Sequence, residues 1–418
     1  MNRTYRYDVV VAGGGSAGVA AALGAARAGA KTLLIERNPY LGGEATHANI
    51  LSYCGFYTRG EKPNLVVGGV GVELLELLKK LGEDISPVKS LTGNHIIPIH
   101  PEAVKYGLDL MMENSSVDVL LHCQLARVYR QGEQISGILC MDDEGTLEIQ
   151  ADSFVDATGE ANVAFLAGCD TVRGDEKGAL QLATMAFRVA HVAPDAEIDL
   201  ASIKEAIRKG RDAGIPFLVR DAGGMAWRQG EDIMTFFIPS HSHRDLSCEE
   251  LTKAEINARK QARAYVEAFR RFLPGLEKAV LIQTGPKIGI REGRRIVGKY
   301  VMTPAEVFGK KQIFDGIARC GWSPEIHKSI DKLDSYQKLP DHFSFSIPLD
   351  ALRPKNCRNL WCGGRTISCD SVAYGAVRVM GCGFATGHGA GVAAALGAEK
   401  EENLMAIRRE LLRQKAIL

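Results

Sequence analysis

The sequence predicts an α/β protein. A parallel sheet with an attached β-meander is split in sequence by an inserted α+β domain. Three observations carry this reading. A strand, glycine turn, helix and second strand open the chain between Tyr7 and Glu36. Alternating strands and turns from Val117 onward lead back to an apolar run at Ser153 to Ala157. Glycine-rich segments, thin in the middle of the chain, return after Asn359. The expected boundaries are 1–160 and 345–418 for the split domain and 161–344 for the insert.

The opening unit has a physical reason at each position. Val9, Val10 and Val11 form a β-branched run with no solvent-facing residue, which suits a strand buried on both faces. Gly13, Gly15 and Gly18 follow in G-x-G-x-x-G spacing, with Ser16 and Ala17 between the last two. Ala20 to Ala28 obeys helix propensity, Thr32 to Ile35 is a second apolar strand, and Glu36 ends it. This βαβ arrangement is a dinucleotide fingerprint. Gly13 permits the tight turn, Gly15 lets the backbone approach a pyrophosphate, and Gly18 allows close helix–strand packing. The helix N-terminus favours the phosphate charge. Glu36 can accept from both ribose hydroxyls.

Further along, Gly42-Gly43 is a turn with Thr46 and His47 just beyond it. Gly68 to Leu81 has the spacing of an amphipathic helix. Ile96, Ile97 and Ile99 suggest a short strand, and a helix is expected from about Glu102 to Met112. Val117 to Leu121 is a strand. Turn signals at Gln131 to Glu133 and Asp142 to Gly145 then mark a three-stranded meander, and Thr158-Gly159 ends the core strand after it. The insert reads as a mixed sheet with helices on one side. Its strands are Leu180–His191 and Asp232–Ile238; its helices are Asp199–Ala213 and Ser247–Leu273. The chain closes with a strand and glycine turn from Asn359, a helix start and small-residue helix from Ala373, and an amphipathic helix from Met405 to Gln414.

Composition narrows the partners. A formal net charge of +1 over 418 residues gives no reason to expect nucleic acid or an anionic membrane. The longest apolar segment, Gly387 to Ala398, is short and rich in Gly and Ala, so no membrane span is expected. The ten cysteines are scattered without a C-x-x-C pair, which suits reduced thiols in a cytoplasmic protein. A core strand begins within the first residues, so no cleaved signal is expected. His241 and His243 lack a third ligand at useful spacing, so no metal is expected.

Five blocks, in order, resemble a known family: VVVAGGGSAGVAAALGAARAGAKTLLIER, YLGGEATH, FVDATGEANVAFLAG, IGIREGRRIVGKYVMTPAEVF and NLWCGGRTISCDSVAYGAVRVMGCGFATGHGAGVAAA. Together they look like the FAD-dependent oxidoreductases of the glutathione-reductase-like FAD fold. More narrowly, they are similar to the branch with an R-E-x-R-R-I-x-G block and a C-terminal R-V-M-x-x-C-x-A-x-G block. The resemblance implies a Rossmann-like FAD-binding domain with an inserted substrate domain, and FAD as cofactor. Gly13, Gly15, Ser16, Ala17 and Gly18 would meet the pyrophosphate, Glu36 the adenosine ribose, and Arg37 would flank the adenine. Gly42, Gly43 and Thr46 would line the ribityl and ring side, and Leu125 would meet the adenine edge. Ala157, Thr158 and Gly159 would form the turn beside the pyrophosphate. Gly364-Arg365 falls where many relatives have Gly-Asp, with Asp370 as a substitute acid. Gly381 and Gly383 would leave the last long helix's N-terminus open to the flavin.

No hydrolytic triad or H-E-x-x-H pattern accompanies these blocks. The expected activity is hydride transfer from a small polar substrate to flavin N5, as a dehydrogenase or oxidase. The candidates for its chemistry are His47, Arg291 and Tyr374, with Cys54 and Arg378 nearby. Arg291 and Arg294 suit either a substrate anion or ion pairs with Glu292 or Glu306. Two rivals stay open: an FAD electron-relay module for a partner protein, and a thiazole-synthase-like, non-redox user of the fold. The electron acceptor is unassigned, and a homo-oligomer is compatible with the sequence.

Overall fold

The computed structural model describes residues 2–90, 92–221, 226–328, 335–397 and 402–418. Its centre is a sheet entered by β1 (Asn2–Ala12), followed by α1 (Ser16–Arg27) and β2 (Thr32–Ile35). Val9, Val10 and Val11 are buried, as a strand covered on both faces requires. The four-residue helix α2 (Glu44–His47) follows the second glycine turn. After β3 (Val117–Leu120) come the meander strands β4 (Gln124–Gln131), β5 (Gln134–Asp142) and β6 (Gly145–Asp156).

The sheet runs β3-β2-β1-β6-β5-β4, and a late strand also joins β6. The meander's last strand and the core strand, which the sequence suggests as separate elements, are one. The first half of β6 pairs antiparallel with β5 (Ile149 opposite Ile138). Its second half pairs parallel with the late strand (Phe154 opposite Leu360). β1 runs parallel along its whole length, from Asn2–Thr146 to Ala12–Asp156. Pairing on both sides is enough to keep these twelve residues in one strand without a break.

The insert holds β7 (Phe187–Ala190), α3 (Leu200–Asp212), β8 (Ala226–Gln229), β9 (Ile233–Phe236), α4 (Cys248–Phe272) and β10 (Val280–Thr284). Its sheet, ordered β8-β9-β7-β10, is antiparallel throughout rather than mixed. The short turn between β8 and β9 allows only a hairpin. Phe187, Phe236, Tyr265 and Phe269 stack between this sheet and α4, with ring centroids 4.9–6.5 Å apart. The single strand expected over Leu180–His191 is two. Ala183–Thr184 pairs with Ser240–His241, and only Phe187–Ala190 enters the four-stranded sheet.

The chain returns through β11 (Leu360–Cys362), α5 (Ser371–Val377), α6 (Met380–Leu396) and α7 (Glu402–Arg413). α5 and α6 meet at a 93° bend. No Pro or Gly occupies the break itself. Gly381, in the first turn of α6, lies against backbone, and a Cβ there would come 2.7 Å from the Cys54 carbonyl oxygen. α6 then packs on α1 without room for a methyl. A Cβ at Gly387 would lie 2.1 Å from the Ala17 carbonyl oxygen, and one at Gly391 2.0 Å from that of Ala21. Among the described residues, no single helix is long and apolar enough to cross a membrane. Ala398, the end of the longest apolar segment, lies outside those residues.

Candidate active site

The glycine turn sits where β1, α1 and the end of β6 converge. Gly13 adopts φ +100°, and a Cβ there would come 2.5 Å from the Ala157 carbonyl oxygen. Gly18 is tighter still, since its Cβ would lie 1.6 Å from the Gly13 carbonyl oxygen. Gly15 precedes α1, and no side chain caps that helix. The Ser16 hydroxyl is buried without a hydrogen-bond partner. Across from it, Gly43 adopts φ +59°, and its Cβ would lie 2.8 Å from Gly15 Cα. Uncapped N–H groups, an unsatisfied hydroxyl and a cleft closed by any side chain fit a pyrophosphate.

Glu36 lies at the rim of this cleft and is buried. Its Oε2 accepts from Gly14 N at 2.7 Å. Its Oε1 accepts from Asn38 N at 2.9 Å and from Asn38 Nδ2 at 2.5 Å. A carboxylate offers about four acceptor positions. Three are taken, so Glu36 keeps one for a ribose hydroxyl in this arrangement, not two. Arg37 is exposed beside it, and Leu125 is half-buried on β4. Thr46 turns its hydroxyl inward to the Leu41 carbonyl at 2.7 Å.

The turn 157–159 is fastened by an acid that the sequence reading passed over. Asp156, fully buried, accepts from Thr158 N and Oγ1 with one oxygen and from Ala164 N with the other. Burial pushes its carboxyl up, and these donors oppose that shift.

Beyond the turn begins a buried polar seam. The Arg365 guanidinium donates to Glu160 Oε1 at 2.9 Å and to the Ile290 carbonyl, and stands 3.4 Å from Glu44 Oε1. Lys287 Nζ donates to the same Glu44 oxygen at 3.2 Å. Glu44 Oε2 and Glu160 Oε2 are buried without partners. The two carboxyls respond differently. Burial pushes Glu44 up, but Lys287 and Arg365 outweigh it and hold the group low. Burial pushes Glu160 up, and Arg365 and Lys287 offset only part of that. Arg365 therefore sits between one fixed anion and one carboxyl that takes a proton more readily than usual. Glu44, Glu160 and Lys287 are absent from the sequence-based candidates. Glu44 and Glu160 directly follow the Gly42-Gly43 and Thr158-Gly159 turns, and that adjacency is the signal that marks them.

The candidates for chemistry fall into two places. His47 is buried beside Glu36. Its Nε2 stands 3.0 Å from the Tyr40 carbonyl and its Nδ1 3.3 Å from Asn38 Nδ2. Burial lowers its pKa, against the opposing pull of Glu36. Both ring nitrogens are thus engaged, and proton transfer would break one of these bonds. Arg291 and Tyr374 lie together in the seam. The Tyr374 hydroxyl donates to the Arg291 carbonyl at 2.9 Å, and Arg291 Nη1 donates to the Leu182 carbonyl and Thr184 Oγ1. Burial raises the pKa of Tyr374. The ion pair suggested for Arg291 or Arg294 with Glu292 belongs instead to Arg295, at 3.1 Å. Arg294 turns to the Glu160 carbonyl and Asn162 and covers the Phe165 ring.

Asp370, considered as an acid for the cofactor, caps α5. Its Oδ1 accepts from Val372 N at 2.9 Å and Ala373 N at 2.8 Å. Gly383 faces Ser16 and Gly364, where its Cβ would have ordinary contacts of 3.7–3.9 Å. Gly381, by contrast, is packed against the Cys54–Phe56 backbone.

The profile of the family described as FAD dependent oxidoreductase matches residues 8–415. Over 168 residues the chain is 30% identical to digeranylgeranylglycerophospholipid reductase 2 of Methanothermobacter thermautotrophicus, covering 40% of this chain and 43% of that protein. Over 187 residues it is 27% identical to NADH:fumarate oxidoreductase of Klebsiella pneumoniae, covering 37% and 20%. The alignments thus span less than half the length of these relatives. A geranylgeranyl bacteriochlorophyll reductase-like structure from Thermoplasma acidophilum superposes with a TM-score of 0.44 at 15% identity, over 99% of this chain and 85% of that one.

Proposed function

The chain belongs to the FAD dependent oxidoreductase family, and on that premise we propose that it oxidises a small polar molecule by hydride transfer to flavin N5. The first turn of α1, Ser16 and the glycines at 13, 15 and 43 bind the pyrophosphate, and Glu36 holds the adenosine ribose. FAD, when bound, supplies the hydride-accepting centre. The insert, residues 161–344, is the substrate domain.

The observation that carries this reading is the seam. It gathers the largely buried Arg365, Glu44 and Glu160 with the half-buried Lys287 and leaves two carboxylate oxygens without a partner. Such groups favour a polar substrate over an apolar one. In this reading Arg291 and Tyr374 are positioning residues, since their polar groups hold one another and the insert. His47 keeps the Asn38–Glu36 pair oriented.

The test is anaerobic bleaching of the FAD-loaded protein against a panel of amines, alcohols, hydroxy acids and sugars. At least one polar class should bleach the flavin in single turnover. Bleaching only in the presence of a second protein would favour an electron-relay role instead. The reverse direction, reduction of a substrate by the reduced flavin, is favoured by one observation: one relative is named a reductase. A flavin that no panel member bleaches, but that unsaturated acids reoxidise after chemical reduction, would establish that direction.

A further inference from the structure

Six of the ten cysteines stand in pairs whose thiols hydrogen-bond to one another: Cys123 with Cys140, Cys169 with Cys357, and Cys320 with Cys382. All six are buried free thiols. The second pair has a distinct place in the chain. β6 and β11 are neighbours in the central sheet, with Asp156 opposite Cys362. Cys169 follows β6 and Cys357 precedes β11, so the whole insert hangs between these two cysteines. Both belong to one buried cluster with Ala167 and Leu360. Arg130, on β4, already joins the same two segments. Its Nη1 donates to the Ala167 carbonyl at 2.9 Å and its Nη2 to the Asn356 carbonyl.

Access and charge set this pair apart from the other two. Gly168 and Asp170, on either side of Cys169, are exposed, and so is Arg358 next to Cys357. The two thiols thus lie one residue below the surface. Cys320 and Cys382 are deeper, since Gly321, Gly381 and Gly383 beside them are buried too. The bond from Cys169 and the Arg130 charge hold the Cys357 thiol below its usual range, against burial. The same bond, together with burial, raises Cys169, which keeps its proton as the donor. Cys123 is lowered by its partner as well, but the stronger charge acting on it is the Asp142 carboxylate, which disfavours a thiolate.

We propose that Cys169 and Cys357 form a redox clasp, which a peroxide closes into a disulfide that ties the insert's entry to its exit. The Cys357 thiolate attacks one peroxide oxygen, the O–O bond breaks, and a sulfenic acid and hydroxide result. The Cys169 sulfur then attacks the sulfenic sulfur, and the sulfenic oxygen leaves as water. Two thiols together lose two electrons and two protons, and one peroxide becomes two waters. The closed clasp restricts the unfolded chain across the whole insert, so oxidation stabilises the fold. Exchange with an external dithiol opens it again.

The experiment treats the FAD-loaded full chain with hydrogen peroxide, alkylates the remaining thiols, and maps the unreduced peptides by mass spectrometry. A peptide pair cross-linked through Cys169 and Cys357 should appear, and dithiothreitol should abolish it. The urea midpoint should rise on oxidation and return on reduction. In Cys357→Ser, shown to be folded by its retained FAD, the cross-link should be absent and the rise lost. Should that variant fail to fold, the peptide map and the midpoint shift of the unaltered chain decide. Cys357 recovered as a thiol or a sulfinic acid, cross-links confined to the other two pairs, a cross-link that leaves the midpoint unmoved, or a rise that persists in Cys357→Ser overturns the proposal. None of these measurements needs turnover, so their failure is separate from a failure of the bleaching test.

Discussion

The glycine turn and the polar seam are held by different forces. At the glycine-turn end, closeness does the work. Gly13 against Ala157, Gly15 against Gly43, and Gly387 and Gly391 against α1 all approach within the space of a methyl group. At the seam, charge does it. Arg365, Glu44, Glu160 and Lys287 come from four separate stretches of chain and meet only in the folded state. The first end is held by backbone contacts that carry no net charge. The second holds carboxyls of opposite tendency around one guanidinium, a setting in which a proton or a charged ligand changes the balance.

The largest effect should come from breaking the seam. Arg365→Ala strands the Glu160 carboxyl, leaves Glu44 with Lys287 alone and should destabilise the fold by roughly 3–5 kcal/mol, measured by urea unfolding. A loss under about 1 kcal/mol, the usual scale of an exposed pair, would reduce the seam to incidental contacts. The next effect probes a buried histidine of α6 beside Gly24 of α1. Buried His388, 2.7 Å from Gln414, has its pKa lowered to about 4 by burial. An unfolded histidine takes a proton as pH falls through about 6.5, while the folded one does not until about 4. Its contribution is present above pH 6.5 and is lost as pH falls toward 4. It amounts to about 3 kcal/mol. Urea midpoints at pH 7 and 4.5 should therefore diverge less in His388→Gln than in the unaltered chain.

Smaller changes test the glycine-turn end. Glu36→Ala should weaken FAD retention by about 1.5–3 kcal/mol, read by FAD titration of stripped protein. Unaltered affinity would remove Glu36 from the cofactor site. Gly391→Ala places a methyl 2.0 Å from the Ala21 carbonyl and should cost about 1–3 kcal/mol of stability. That loss should not change with salt, and the Arg365→Ala loss should change little either, because salt screens a buried ion pair far less than an exposed one.

The same contrast explains what the sequence discloses. The unit from Tyr7 to Glu36 is contiguous, so its strand, turn, helix and acid all stand in one readable window. The meander and the long insert helix are legible for the same reason. The seam is not, because Glu44, Glu160, Lys287 and Arg365 carry no mutual spacing. The bend at Arg378 is hidden as well. No Pro or Gly marks the break, and the close approach of Gly381 to the Cys54–Phe56 backbone comes from a distant stretch of chain. The antiparallel insert follows from a hairpin turn whose first strand, β8, is too short to announce itself. His47, attractive beside a glycine turn, proves to have both ring nitrogens engaged by Tyr40 and Asn38.

The most direct test is the identity and amount of the bound molecule. The purified chain, reconstituted with FAD and freed of excess, is denatured, and the released ligand is weighed by mass spectrometry. The account predicts intact FAD, close to one per chain, with flavin absorption before release. A chain that takes up no FAD, or releases an NAD-derived molecule in its place, would contradict it.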